Sequence, residues 1–225
     1  MFHRPSGFLI ACLCALALSA CSTVQEERSL GRELDDNNAS WSIKSAMLRA
    51  EGYALDGVDV EVAEGVALLT GHVPREDDSQ MAECLAWSSV AVRSVTNELI
   101  IGDDTGFGDG TRDLLISQRI RARLLTDRSI RSVNFNVEAF NGRVFLLGLA
   151  RSRGELERAT AHASLVDGVT EVVSLVRVAG VPSNLPARGE RRAAACGGEP
   201  VPALELPEDD INSGPQLLGA RKTTR

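Results

Sequence analysis

Cys21 has the most distinctive chemical position in this chain. It comes directly after an apolar run, Phe8–Leu18, and two small residues. An N-terminal segment of this kind, with Arg4 ahead of the apolar run, is typical of a secretory signal peptide. The sequence therefore predicts a signal peptide over residues 1–20 and a thiol at the start of the mature chain.

The four residues Leu18–Cys21 resemble the bacterial lipobox, in which a leucine and two small residues precede a lipidated cysteine. The resemblance implies that Cys21 carries a diacylglycerol, with palmitate as a typical acyl chain. Each buried methylene contributes about 0.8 kcal/mol, so several chains would make a lasting membrane anchor. Ser22 at the next position implies sorting to the outer membrane, facing the periplasm. A plain signal peptide with an incidental cysteine is the alternative.

Two cysteines, Cys84 and Cys196, remain once the signal peptide is removed and Cys21 is acylated. In an oxidising compartment they could pair, and the sequence leaves this open. The histidines of the mature chain, His72 and His162, lie far apart in sequence, with none of the spacings typical of metal sites. We expect neither a metal nor a cofactor.

Composition limits the classes of function. The chain has 225 residues, a net charge of −7 and only 4% aromatic residues, which fits one ordinary domain or two small ones. The net negative charge argues against bulk nucleic-acid binding, so no nucleic-acid partner is expected. No arrangement of serine, cysteine, histidine and carboxylates typical of catalysis is present, and we expect a non-enzymatic protein.

An internal repeat with an offset of 77 residues defines the body of the chain. Alternating apolar residues begin at Val58 in one copy and at Val133 in the other, which predicts a strand in each. A glycine turn and a second apolar strand follow, and the strands end at Gly71 and Gly148. Aligned at their first valines, the copies differ by two residues in the length of the turn.

The same offset relates the sequence on both sides of the hairpins. Upstream, residues at helical spacing match in pairs: Asp36 with Asp113, Ile43 with Ile120, and Met47 with Leu124. Downstream, Val92–Ile101 matches Val169–Val178 as a third strand, after a second helix that Asp167 and Gly168 would end. Each copy therefore predicts the order helix–strand–strand–helix–strand.

This order assigns the chain to the α+β class, with units over residues 39–102 and 113–180. Residues 21–38 are polar and predict a flexible tether. Residues 103–112 predict a Gly/Asp-rich linker, in which Asp103, Asp104 and Asp109 resemble a calcium loop without its regular ligand spacing. Residues 181–225 hold six of the eight prolines and predict a disordered tail.

The second copy carries the motifs "VFLLGLARS" and "DGVTEVVSLVRV", and the first carries "GVALLTGHV" and "VRSVTNELII". Together with the early aspartates, these resemble the BON domain. Tandem copies behind a lipobox are similar to the dual-BON outer-membrane lipoproteins of Gram-negative bacteria. That resemblance implies a role in envelope integrity and, in some members, binding of anionic phospholipid through the second BON domain.

The two units differ in charge, which bears on this expectation. Residues 39–102 hold four basic and ten acidic side chains, a net charge of −6. Residues 113–180 hold ten basic side chains, all arginine, and seven acidic ones, a net charge of +3. Each basic residue near an anionic lipid surface contributes about 1 kcal/mol. We therefore expect the second unit to be the one that binds anionic lipid.

Within that unit, Arg158, His162 and Leu165 follow one another at helical spacing, away from the predicted core stripe. We expect them to bind lipid together with Arg151 and Arg153. A solvated helix face with a stray leucine is the alternative.

Trp41 and Trp87 lie off the predicted core faces of their helices in the first unit. We expect them at an interface between the units, with core packing and membrane contact as alternatives. The acidic first unit and the tail also fit a protein adaptor, with a periplasmic partner in the envelope or cell-wall machinery.

Overall fold

The computed structural model describes residues 30–102, 109–182 and 188–196. The chain divides into two compact units, and residues 188–196 belong with the first of them. The signal peptide, Cys21 and the start of the tether lie outside the described residues. Within the described ranges, no helix has the length and apolar content needed to cross a bilayer.

The first unit packs helices against one sheet. Its elements are α1 (Leu30–Arg49), β1 (Val58–Ala63), β2 (Val66–Val73), α2 (Glu76–Ala86), β3 (Ser94–Asn97) and β4 (Ile100–Ile101). Strand β2 is central: it pairs antiparallel with β1 and parallel with β3 and β4. The core cluster of the first unit joins Ile43 and Met47 of α1 to Leu69 of the sheet and Leu85 of α2.

The second unit repeats this architecture. Its elements are α3 (Asp109–Thr126), β5 (Phe135–Phe140), β6 (Arg143–Ala150), α4 (Arg153–Ser164), β7 (Glu171–Ser174) and β8 (Arg177–Val178). Strand β6 takes the central place, and a separate core cluster includes Ile116, Ile120 and Leu146. The α+β prediction is confirmed. The order of elements is also as predicted, except that the single third strand expected in each unit is two short strands, β3 and β4 or β7 and β8.

The hairpin alignment made from the sequence is wrong by two residues. Val58 pairs with Gly71 and Phe135 pairs with Gly148, so the offset of 77 extends through the whole hairpin and both turns have equal length. Val133 lies before the strand, in a short 3-10 turn, and is 69% exposed. A shift of two residues preserves strand alternation, which is why the pattern alone could not set the register.

A buried aspartate ties the first helix of each unit to the hairpin turn. The Asp36 carboxylate accepts hydrogen bonds from the amides of Glu64 and Gly65, at 2.7 and 3.2 Å. In the second unit, the carboxylate at the matching position, Asp113, accepts from the two turn amides at 2.6 and 2.9 Å. Glu64 has a φ of 53°, in the left-handed region. The turn thus presents two neighbouring N–H groups to one carboxylate.

Three predicted boundaries differ from those in the structure. Helix α1 already begins at Leu30, so the predicted tether is wrong over residues 30–38, where Asp36 is 2% exposed. Helix α3 begins at Asp109, within the predicted linker. The predicted disordered tail contains a helix, α5 (Arg188–Ala195), which packs on the first unit. The polar sequence of residues 30–38 gave a wrong prediction of a tether because only one face of α1 contacts the core.

A second buried carboxylate anchors the other helix of each unit. Asp78 of α2 is paired with Arg75 at 2.6 Å and also accepts from the amide of Ala54. At the matching position, Glu155 of α4 accepts from the amide of Arg131 at 2.7 Å. The hydrogen bond from Arg75 holds the pKa of Asp78 below its usual range, against the opposing effect of burial.

Replacing Asp36 with alanine should destabilise the first unit by about 2–4 kcal/mol, because two buried turn amides lose their acceptor. Both tryptophans, Trp41 and Trp87, lie in this unit, so the urea midpoint of tryptophan fluorescence measures it selectively. The matched control is Asp35→Ala, which removes the exposed carboxylate next in sequence and should leave the midpoint unchanged. Equal midpoints for both variants would contradict the role of Asp36.

Asp78 should make the stability of the first unit depend on pH. Its folded-state pKa is lowered, so its stabilisation is complete above the unfolded value of about 4 and is lost as pH falls through the folded-state pKa. The urea midpoint should therefore fall on acidification below pH about 4. Asp78→Asn should flatten this fall, whereas Asp77→Asn, at an exposed neighbour, should reproduce it.

Candidate functional site

The five residues expected to bind lipid divide into two groups. Arg153, Arg158 and Leu165 are exposed, and Leu165 is 66% exposed at the end of α4. Arg151 and His162 are partly buried and bonded within the unit. The lipid role of all five stays a prediction, and the structure leaves the first three at the surface.

Arg151 serves the interior of the second unit. Its guanidinium contacts the carboxylate of Glu155 at 2.9–3.1 Å and donates to the carbonyl of Ser129 at 3.1 Å. Glu155 is 4% exposed, so the carboxylate of this ion pair is buried, whereas the Arg151 side chain is partly exposed. Burial alone would raise the pKa of Glu155, but the hydrogen bonds from Arg151 and from the amide of Arg131 bring it below its usual range. A headgroup would have to compete with this carboxylate.

His162 joins α4 to the segment after α3. Its Nε2 atom lies 3.0 Å from a carboxylate oxygen of Asp127. The hydrogen bond with His162, followed by the one from the Ser129 amide, lowers the pKa of Asp127. The imidazole therefore links α4 to the segment that follows α3.

The sequence reasoning missed a second exposed face, on α3. Leu114, Leu115 and Leu125 are 57%, 51% and 74% exposed, although Ile116 and Ile120 of the same helix are buried. At about 100° per residue, the three leucines fall within an arc of about 100° on the side away from the core. The signal was present in the sequence, because these leucines lie off the Ile116–Ile120 stripe.

Arginines flank these leucines. Arg119 and Arg123 lie beside Leu115 on the exposed side of α3, and among the described residues neither guanidinium has a hydrogen bond or ion pair. Arg121, on the other flank, pairs with Glu138 at 3.2 Å. We call Leu114, Leu115, Arg119, Arg123 and Leu125 the α3 face. A helix with an apolar centre and cationic flanks is suited to an anionic interface.

The tryptophans have different environments. Trp87 is 2% exposed in the core cluster of the first unit, so it is a core residue instead of a residue at an interface between the units. Trp41 is 75% exposed on α1, in line with Leu34 and Leu48 at seven-residue spacing. Its expected interface role stays a prediction. The helical wheel failed for Trp87 because residues outside α2 bury it, among them Val92 of the same core cluster and Arg191 over the indole ring.

Cys84 and Cys196 form a disulfide, with their Cα atoms 4.9 Å apart. This settles the pairing that the sequence left open, and it attaches the end of α5 to α2. No cluster of metal-binding side chains occurs among the described residues. Most of the stretch that resembles a calcium loop, residues 103–108, falls outside them.

Residues 35–103 and 112–180 each match the BON domain model, so the match covers more than half of the chain. The chain belongs to the BON-domain family. An uncharacterized protein of Anaplasma centrale, named for the gshII 5' region, is 36% identical over 122 residues, 54% of this chain and 81% of that protein. The outer membrane lipoprotein DolP of Haemophilus influenzae is 26% identical over 178 residues, 76% of this chain and 90% of DolP.

A third relative is the 21 kDa hemolysin of Actinobacillus pleuropneumoniae, which is 28% identical over 156 residues. That match covers 67% of this chain and 78% of the hemolysin. The two BON units of the chain account for the internal repeat. Family membership thus confirms the resemblance noted in the sequence.

Arg151 and Arg158 should respond differently to alanine substitution. Arg151→Ala should destabilise the second BON unit by about 1–3 kcal/mol, because the Glu155 carboxylate loses its charged donor. Arg158→Ala removes an exposed arginine from α4 and should change stability by less than about 0.5 kcal/mol. Hydrogen exchange of the β6 amides measures the stability of this unit. Equal protection in both variants would contradict the structural role of Arg151.

Proposed function

We propose that this protein is a non-enzymatic outer-membrane lipoprotein that supports envelope integrity by binding anionic phospholipid through its second BON unit. Cys21 provides the anchor, and the protein faces the periplasm. The likeness to DolP, which is named an outer membrane lipoprotein, supports the location. The α3 face is the observation that carries the lipid proposal.

The α3 face has the two components that an anionic interface requires. Exposed leucine side chains can enter the boundary between headgroups and acyl chains, where burial of each methylene contributes about 0.8 kcal/mol. Arg119 and Arg123 can each present a planar guanidinium to a phosphate in a bidentate contact. The apolar part sets the depth of insertion, and the arginines select for negative charge.

The exposed residues among those predicted to bind lipid on α4 also combine an apolar side chain with arginines, as the α3 face does. Leu165 is exposed beyond the end of α4, and Arg153 and Arg158 are exposed along it. The α4 surface has one exposed apolar side chain, whereas the α3 face has three. We therefore assign the main contact to α3, with α4 contributing additional cations.

The matching helix of the first BON unit lacks this combination. With the offset of 77, Ser42 and Ala46 of α1 occupy the positions of Arg119 and Arg123. The unit as a whole carries a net charge of −6 over residues 39–102, which repels anionic lipid. The charge difference between the units thus favours lipid binding by the second.

A second candidate function is that of a periplasmic protein adaptor, and the first BON unit favours it. Leu34, Trp41 and Leu48 form an exposed apolar stripe along α1. Trp41 lines a cleft of about 270 Å³ together with Asp59, Glu61 and Lys44, whose ammonium group donates to the backbone carbonyl of Asp56. An exposed tryptophan beside carboxylates is suited to a basic segment of a protein partner in the envelope or cell-wall machinery.

Vesicle flotation of the chain from Ser22 onward, without acyl groups, tests the lipid proposal. Binding should require anionic lipid and weaken as salt rises, because arginine–phosphate attraction is screened. Leu125→Glu should abolish flotation, since it places a negative charge within the α3 face. Leu48→Glu is the matched control, because it changes the exposed leucine at the equivalent position of α1 and should leave flotation intact.

The double variant Arg158→Glu, Leu165→Glu compares the two surfaces of the second unit. We expect partial loss of flotation, in contrast to complete loss with Leu125→Glu. Complete loss in the double variant alone would assign the contact to α4. No flotation of the unmodified chain would contradict lipid binding and favour the adaptor.

A further inference from the structure

Helix α5 covers part of the first BON unit. Ala195 packs against the core cluster of that unit, and the guanidinium carbon of Arg191 lies 5.0 Å from the centroid of the Trp87 ring. Arg191 also donates a hydrogen bond to the backbone carbonyl of Arg93. The cover therefore has an apolar contact, a cation–π contact and a polar contact.

The covered surface is a groove between α2 and β3. Gln80, Glu83 and Trp87 of the α2 segment and Val95 of β3 form one side, and α5 forms the other, around a cleft of about 580 Å³. An aromatic ring that can stack on a guanidinium, with a carboxylate nearby, is suited to an arginine on a short helix. Arg191 supplies that arginine.

Residues 188–196 are a poor helix on their own. Helix α5 has eight residues, and isolated helices shorter than about 12–15 residues are marginal in water. It also begins with Arg188 and Gly189, and glycine disfavours helix. The helix thus depends on its contacts with the groove and on the disulfide from Cys196 to Cys84.

We propose that this groove is a receptor for a short arginine-bearing helix, that residues 188–196 are its resident occupant, and that the Cys84–Cys196 disulfide is a latch on that occupant. When the disulfide is oxidised, the segment covers Trp87. When it is reduced, the segment leaves, and the groove can take a second segment of the same chemistry. The proposal is independent of lipid binding by the second unit.

The opening step requires a dithiol reductant. One thiolate of the reductant attacks a sulfur of the disulfide, and Cys196 is the more accessible because Cys84 is only 8% exposed. Cys84 leaves as a thiolate and takes up a proton, and a mixed disulfide forms with Cys196. The second thiol of the reductant resolves that bond, so both cysteines end as thiols and the reductant leaves as its disulfide.

Trp87 fluorescence in the chain from Ser22 to Arg225 tests the cover. Trp41→Phe makes Trp87 the sole tryptophan. We expect acrylamide quenching of Trp87 to rise several-fold on reduction with dithiothreitol, with a red shift in emission. Cys196→Ser should show the reduced behaviour without reductant, and the urea midpoint must show that the first unit stays folded.

A peptide tests the receptor. It spans residues 186–197 with Cys196→Ser, and it is added to the reduced, Trp41→Phe chain that also carries Arg191→Glu, which disables the resident segment. We expect the peptide to restore protection of Trp87. A peptide with the additional change Arg191→Glu should not do so, whereas the matched change Arg192→Glu should.

Three results would overturn the proposal. Two alkylatable thiols in the oxidised protein would remove the latch. Equal quenching of Trp87 in the oxidised and reduced chains, or unfolding of the first unit on reduction, would show that α5 is not a releasable cover. Failure of the 186–197 peptide to protect Trp87 would show that the groove is not a receptor.

Discussion

The hydrogen bonds between one buried aspartate and two turn amides hold each BON unit together. Asp36 and Asp113 are 2% and 6% exposed, so the carboxylate and the amides would be costly to bury apart. The bonds fix the distance between the first helix and the hairpin, and the apolar stripe of that helix then meets the central strand. The second helix of each unit has its own anchor, the buried carboxylate of Asp78 in α2 and of Glu155 in α4.

Because these contacts use the inner side of the helix, the outer side is free to differ between the units. With the offset of 77, Asp35, Ser42 and Ala46 of α1 become Arg112, Arg119 and Arg123 of α3, whereas Leu48 and Leu125 are alike. One scaffold thus carries a helix of no net charge with an exposed tryptophan, and a cationic helix with exposed leucines. This divergence supports different partners for the two BON units.

Much of the fold could be predicted from the sequence because its signals are local. Strand alternation, helical spacing and the offset of 77 identified both units, although the hairpin alignment was wrong, since a shift of two residues preserves alternation. The polar start of α1 and the helix in the tail were also missed. The site was harder, because long-range partners decide it. Arg151 is bound by the carboxylate of Glu155, and His162 is bound by the carboxylate of Asp127. The disulfide that joins cysteines 112 residues apart holds the end of α5 in place. The leucines of α3 were missed because a leucine in a helix is ordinarily read as core.

In the proposed function, the second BON unit contacts anionic lipid through the outer side of α3. The most direct measurement is hydrogen exchange of the chain from Ser22 to Arg225, free and bound to nanodiscs that contain anionic phospholipid. We expect slower exchange on binding in Asp109–Thr126 and at the end of α4, with exchange in Leu30–Arg49 unchanged. Protection confined to Leu30–Arg49, or no protection in either helix, would contradict it.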